Sequence, residues 1–295
     1  MTRTPALARE YIGVVGRSLA RAITGRSGPV DPSVFERARA ARLFWLIHTY
    51  RDWPKLETNL AALRHLYPES AALVISDGDP DPSIPPLCGR YGVGFRLGAR
   101  LFAVEHGGEI VQRMLDEFLA RDADILIKID PDTALRRGFT RMPPAGARAI
   151  FGTIGTNETG DCEFIQGGCM IVPRRVAEEV TARRLLVSDR LKPPALEWAA
   201  SAISTTRAAA GLTSIDQTFG WACRELAIPC VNHPEVFSRY LPSLVDLVTS
   251  LRLAVYHPRF ERRDLARSNF YFGGIRSTIR RAWQRDQSAT PPSRR

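Results

Sequence analysis

The feature that most constrains this chain is the apolar run Ile125-Leu126-Ile127-Lys128-Ile129, which closes directly on Asp130-Pro131-Asp132. A short run of β-branched and aliphatic residues bounded by turn formers reads as a buried strand. Its carboxyl end would deliver two carboxylates to one edge of a sheet, and in open α/β sheets that edge is where ligands bind. Carboxylates there suit a hard divalent cation, because Mg2+-type ions take one or two protein carboxylates together with substrate phosphate oxygens. The bland alternative is a solvated turn in which Asp caps the next element and Pro fixes the backbone angle. The surrounding pattern has to separate the two.

Residues 43–50 read as a first buried strand, and 54–66 as a helix with Leu56, Leu60 and Leu63 on one face. Residues 72–76 form a second strand ending at Asp77, which opens a βαβ unit and implies a parallel sheet with a right-handed crossover. A helix over 110–119, with Ile110, Val111, Met114, Leu115 and Phe118 inward, feeds the strand that ends at Asp130. The expected order is therefore strand, helix, strand, helix, strand, then the paired acids. Further on, 149–154 and 162–172 read as strands flanking a turn, 216–226 as a helix and 254–257 as a last short strand. Residues 191–213, rich in Ala, Ser and Thr and including Trp198, read as an insertion.

The net charge of +10 favours polyanionic partners, but the excess sits at the ends. Residues 1–42 carry eight Arg against three acids, and 259–295 carry ten Arg against three acids. The central part is thus near neutral, and the basic character belongs to the termini. Residues 5–24 have helical apolar spacing interleaved with Arg9, Arg17 and Arg21, a pattern suited to packing on the main domain or lying on an anionic membrane. The chain divides into a basic amphipathic extension over 1–40, an α/β domain over 41–260 and a basic tail over 261–295, with 286–295 expected to be disordered. No stretch reaches the roughly 18 apolar residues needed to span a bilayer. The opening segment also lacks the unbroken apolar core of a signal peptide, so the expected location is cytoplasmic, with peripheral contact at the inner face of a membrane as an extension of that reading. Five cysteines without Cys-x-x-Cys spacing argue against a disulfide framework or a zinc site.

Taken together, these features resemble the GT-A class of nucleotide-sugar glycosyltransferases over about residues 41–258. The resemblance implies a Rossmann-like, mostly parallel sheet flanked by helices. Thr49 and Asp77, at the ends of the first two strands, would receive the nucleoside. Lys128-Ile129-Asp130-Pro131-Asp132 looks like the family's Asp-x-Asp motif, with Lys128 beside the nucleotide sugar. In that motif Asp132 would touch a Mn2+ or Mg2+ ion, and Asp130 would contact the ribose or a metal-bound water. Phe164-Ile165-Gln166-Gly167-Gly168-Cys169-Met170 is similar to the glycine-rich segment beside the sugar, where Gly167 and Gly168 let backbone approach a ligand. Ser214-Ile215-Asp216-Gln217 is similar to the acidic motif that carries the base, although the family usually shows Glu-Asp where this chain has Ile-Asp. His257 corresponds to a late metal ligand, with His233 as a competitor, and Arg96 and Arg100 to a cation near the diphosphate.

The implied reaction moves a sugar from a nucleoside diphosphate sugar, UDP- or GDP-linked, to a hydroxyl of a glycan or lipid-linked acceptor, with inversion as the leading mechanism and retention an alternative that would share every one of these motifs. Each of these residues also has an ordinary reading: Asp77-Gly78 as a turn, paired glycines as a bulge, Asp216 as a first-turn acid, and a histidine before proline as a strand-end residue. Two other classes remain open. Strand-Asp-x-Asp also begins aspartyl-nucleophile phosphatases, though here Thr133 follows the second acid at once and a complete βαβ unit comes first. A basic nucleic-acid-binding module would use the Arg-rich ends, but no helix-turn-helix or zinc-knuckle pattern is present and no specific nucleic acid is expected.

Overall fold

The computed structural model describes residues 32–38, 42–49, 53–78, 81–99, 101, 106–156, 162–187, 215–239 and 254–258. The expected basic helix over 5–24, the insertion with Trp198, Arg100 and the C-terminal tail lie outside the described residues. In chain order the strands and helices are β1 (Glu36–Arg37), β2 (Leu43–Thr49), α1 (Trp53–Leu66), β3 (Ala71–Asp77), α2 (Ile84–Arg90), β4 (Gly94–Gly98), α3 (Gly107–Leu119) and β5 (Ile125–Ile129). They continue with β6 (Ala134–Leu135), β7 (Arg141–Met142), β8 (Ile150–Thr156), β9 (Glu163–Pro173), α4 (Arg174–Ala182), α5 (Ile215–Glu225), β10 (Cys230–Asn232), β11 (Val236–Arg239) and β12 (Val255–Pro258).

The main sheet is α/β in character, seven strands ordered β10-β8-β9-β5-β2-β3-β4. All its neighbours run parallel except β9, which is antiparallel to both β5 and β8. Helices cover both faces, so the central strands read as unbroken apolar runs instead of alternating. Leu56, Leu60 and Leu63 of α1 and Ile84 and Leu87 of α2 pack on one face against Trp45, Ile47, Val74, Ile127 and Ile129. Helices α3, α4 and α5 pack on the other through Ile110, Met114, Phe118, Val176, Val180 and Phe219, against Phe44, Leu46 and Leu126. Strand alternation therefore turns Lys128 toward the side of Leu126, where α3 and α5 lie. No helix among the described residues is long and apolar enough to cross a membrane.

Between the second strand and the helix before the acids, the structure adds a helix–strand unit, α2 and β4, to the sequence expectation, and short strands β1, β6, β7, β10 and β11 were also not expected. Pro85, Pro86 and Gly89 make this stretch look like a breaker. Both prolines, however, sit in the first turn of α2, where no intrahelical N–H partner is needed. Strand β4 is a short sheet edge bounded by Gly94 and Gly98, too brief for a pattern to register. Helix α4 also went unseen in the sequence reading. At the end of α1, Arg64 donates to the carbonyls of Tyr91, Ser70 and Gly92 at 2.7, 2.7 and 2.8 Å, welding the α1–β3 and α2–β4 connections together.

A small sheet, β11-β12-β6, stands beside the main one, and β1 pairs with β7. Its organiser is buried Glu235, which accepts from the Thr140 hydroxyl at 2.6 Å, from Arg137 at 2.7 Å and from the backbone N–H groups of Thr140 and Arg141 at 2.9 and 3.0 Å. Burial pushes the Glu235 carboxyl upward, but the hydroxyl, backbone and guanidinium donors outweigh it and hold the group below the usual carboxylate range.

Candidate functional site

The acidic turn begins where β5 leaves the sheet. Thr133 N–H closes the turn on Asp130 O at 3.0 Å, with Pro131 at the position that favours a fixed φ. The Thr133 hydroxyl accepts from Asp130 N at 3.2 Å and donates to Gly168 O at 2.6 Å. From the opposite side, Asn59 of α1 donates to Asp130 O at 3.1 Å and to Pro131 O at 2.9 Å. The backbone of the turn is thereby tied to β9 and α1, while its two carboxylates stay about one-third exposed. One turn before Asn59, the Lys55 ammonium lies 4.0 Å from Asp132.

Strand β9 brings the glycines to this turn. Ile129 lies opposite Cys169 in the antiparallel register, so Gly168 and Gly167 continue alongside Asp130. The pairing of β9 with β8 shifts between Gly152 and Ile154, and the resulting irregularity releases Gln166 to Gly168 from that neighbour. Lys128, 3% exposed, ion-pairs with Asp130 and donates to Gly167 O at 2.5 Å.

Helix α5 supplies the last charge. Gly220 lets the helix lie on the backbone of β9, since a Cβ there would come within 2.4 Å of Phe164 Cβ and 2.6 Å of Glu163 O. That close approach carries Asp216, in the first turn, over the glycines. A Cβ placed on Gly167 would stand 3.7 Å from Lys128 Nζ, 3.8 Å from Asp130 Oδ2 and 3.9 Å from Asp216 Oδ2. Three charged groups from β5, the acidic turn and α5 thus converge over one residue that has no side chain. Cys169 beside them is buried, and that burial pushes its thiol up to about 12, away from the thiolate form in which cysteine is reactive.

A second polar group lies on the same edge and the same face. Asp77 at the end of β3 pairs with His48 of β2 at 2.9 Å and with Arg113 of α3 at 2.6 Å. Burial pushes the Asp77 carboxyl upward, yet His48 and Arg113 together hold it below its usual range. Gly98 makes room for this arginine, since any Cβ there would overlap its guanidinium. Both Asp77 oxygens are therefore engaged by cationic or hydrogen-bonding partners. On the opposite face, the Thr49 and Ser76 hydroxyls end adjacent strands in register. Among the described residues, Thr49 Oγ1, Ser76 Oγ and Gln166 Oε1 are buried without a hydrogen-bond partner, an arrangement that costs about 1–3 kcal/mol per group unless a ligand or water satisfies it.

Of the sequence-derived candidates, Lys128, Asp130, Gly167, Gly168 and Asp216 come together, with Asp132 on the adjoining turn. Arg96 does not join them: it pairs with Glu117 of α3 from a strand position level with Ile75 and short of the edge. The cation at the edge is Arg113, which the sequence reading did not single out. His233 is also excluded as a metal ligand by its partners. Its Nδ1 accepts from Glu235 N and its Nε2 donates to Arg141 O, both at 3.2 Å, and Phe35 and Phe139 pack against the ring. The His257 side chain lies outside the described residues, but its backbone is placed by register. Tyr256 pairs with Ala134 in antiparallel β6, which brings His257 to the Asp132–Thr133 end of the acidic turn.

Among the described residues, no group of three or more His, Cys, Asp and Glu side chains is assembled as a metal centre. The turn nevertheless offers the oxygen donors a hard divalent cation takes, two partly exposed carboxylates on one rigid backbone with no exposed soft ligand nearby among the described residues, and a cation there would share them with Lys128 at Asp130 and Lys55 near Asp132. No protein-family model matches the chain, and no curated protein matches it either.

Proposed function

We propose that the chain is a metal-dependent glycosyltransferase of the GT-A type, transferring a sugar from a nucleoside diphosphate sugar to an acceptor hydroxyl with inversion. The observation that carries this reading is the convergence of Lys128, Asp130 and Asp216 on the bare backbone of Gly167 at the carboxyl edge of the sheet. A mostly parallel sheet, with one reversed strand presenting glycines to the acidic turn, is compatible with that fold.

Each group has work suited to its chemistry. Asp216 accepts the proton of the acceptor hydroxyl, whose oxygen attacks the anomeric carbon as the bond to the diphosphate oxygen breaks and its electron pair leaves with the diphosphate. The Lys128 ammonium faces the departing negative charge from a buried position, where electrostatic attraction is stronger than in water. Asp130 and Asp132, with His257 as a third ligand, would hold a Mn2+ or Mg2+ ion, which when bound offsets the charge on the leaving diphosphate. Gly167 and Gly168 admit the sugar against the backbone. Thr49 and Asp77 mark the nucleoside end of the site. The Arg-rich termini would favour an acceptor presented at an anionic membrane surface.

The test is a thermal-shift screen of UDP, GDP, CDP and dTDP, each with and without Mn2+, on the wild type and on Asp132→Asn. A ligand at 100 times its Kd stabilises by about 2.7 kcal/mol. Manganese-dependent stabilisation by one nucleotide, lost in the variant, is the expected result and identifies the base. Silence across the whole panel overturns the reading.

A further inference from the structure

We propose that Asn59 is a positioning residue that sets the Asp130-Pro131-Asp132 turn for its cation. This inference rests on the metal-dependent reading above and assigns part of the site to helix α1, which no sequence motif marks. Asn59 lies in the apolar stripe of that helix, three residues after Leu56 and four before Leu63, and all of these side chains are buried. An amide among leucines at helical spacing needs a reason to be there. The reason is geometric: its Nδ2 carries two hydrogens, and both go to consecutive carbonyls of the acidic turn, Asp130 O at 3.1 Å and Pro131 O at 2.9 Å.

The orientation of the amide follows from the same contacts. Turning it over would set Oδ1 against two carbonyl oxygens, so the nitrogen faces the turn and Oδ1 is left buried without a partner. The chain thus tolerates one unsatisfied acceptor in order to keep two donors on the turn. Pro131 supplies no N–H, and Thr133 holds the other side of the turn through Asp130 N and Gly168 O. Asn59 and Thr133 therefore clamp the turn from α1 and from β9, fixing the directions in which the two carboxylates leave the backbone. Groups that orient metal ligands in this way typically alter metal affinity 10- to 100-fold when removed.

The experiment titrates Mn2+ by electron paramagnetic resonance into the full-length wild type, Asn59→Leu and Leu63→Val, first alone and then with whichever nucleoside diphosphate stabilises the wild type. Asn59→Leu keeps the apolar volume and removes the clamp, and a 10- to 100-fold loss of Mn2+ affinity is expected while the protein remains folded by circular dichroism. Leu63→Val thins the same stripe one turn away and is expected to lower Tm without changing Mn2+ affinity, a separation that a merely structural role for Asn59 would not produce. Should Asn59→Leu fail to fold, Asn59→Gln, which shifts the amide by one methylene, is expected to weaken Mn2+ binding in the same direction. Wild-type affinity in the folded Asn59 variant overturns this inference and leaves the glycosyltransferase reading standing. Absence of Mn2+ binding by the wild type in both conditions overturns both.

Discussion

Glu235 and Asp130 are both carboxylates at strand ends, yet the chain surrounds them differently. Glu235 sits just before β11 with a hydroxyl, a guanidinium and two backbone N–H groups aimed at it, all from the Arg137 to Arg141 stretch. Asp130 has its backbone tied down by Asn59 and Thr133, while its side chain faces Lys128, Asp216 and a residue without a Cβ. In the first region the protein completes the coordination of the acid and gains rigidity. In the second it fixes the backbone and gathers charges around an open stretch of main chain, an arrangement that costs stability and is useful only when something binds. Asp77 lies between the two cases: it is held by His48 and Arg113 as firmly as a structural acid, but stands on the binding edge.

The comparison breaks most sharply on Asp216. Asp216→Asn is expected to lower sugar transfer by about 10²- to 10⁴-fold, the usual contribution of a general base, while Tm stays near the wild-type value. A large fall in Tm with transfer retained would move Asp216 into the same class as Glu235. The converse test is Glu235→Ala, expected to destabilise the fold by about 3–5 kcal/mol because Arg137 and the Thr140–Arg141 backbone lose their shared acceptor, with activity per folded molecule preserved. Chemical denaturation and an activity assay on the same samples separate the two effects.

A pH series sharpens the contrast. The Glu235 carboxyl is held below its unfolded value, so its ionised form contributes stability that is fully present above the ordinary glutamate range. That contribution is lost as the pH falls through the lower, folded value. The stability gap between wild type and Glu235→Gln is therefore expected to be widest at neutral pH and to close on acidification, as read by denaturation midpoints at successive pH values. The smallest effect belongs to Arg96→Ala. Its side chain is more than half exposed, and its buried partner Glu117 keeps Arg121 as a second cation, so only a small fall in Tm and no change in nucleotide binding are expected. A marked loss of nucleotide binding would restore Arg96 to the site.

Much of this arrangement was legible in the sequence, and the failures have physical causes. The run ending at Asp130, the leucine stripe of α1 and the apolar face of α3 each carry a period that burial enforces, so β2, α1, β3, α3 and β5 emerge with ends shifted by only a few residues. Helix α2 was hidden because its prolines read as breakers, whereas at the first turn of a helix they cost nothing. The reversal of β9 leaves no mark in a strand buried on both faces, yet it is what sets Gly168 opposite Asp130 and brings Gly167 next to it. Arg113 and His48 were missed because one lies on the polar margin of a helix and the other precedes a strand end, where single charged residues are common. Asn59 did carry a signal, since Leu56, Asn59, Leu60 and Leu63 place an amide inside an apolar stripe. A search for polar residues at buried helical spacing would have found it.

The most direct test of the central claim is binding of the stabilising nucleotide sugar, with Mn2+, to Gly167→Val measured by calorimetry. The valine side chain would occupy the space between Lys128, Asp130 and Asp216, away from the packed core of the sheet. A folded protein with near wild-type Tm and no measurable binding is the expected result. Wild-type affinity in that variant would contradict it, because a ligand that tolerates a filled Gly167 does not use the place where these three charges meet.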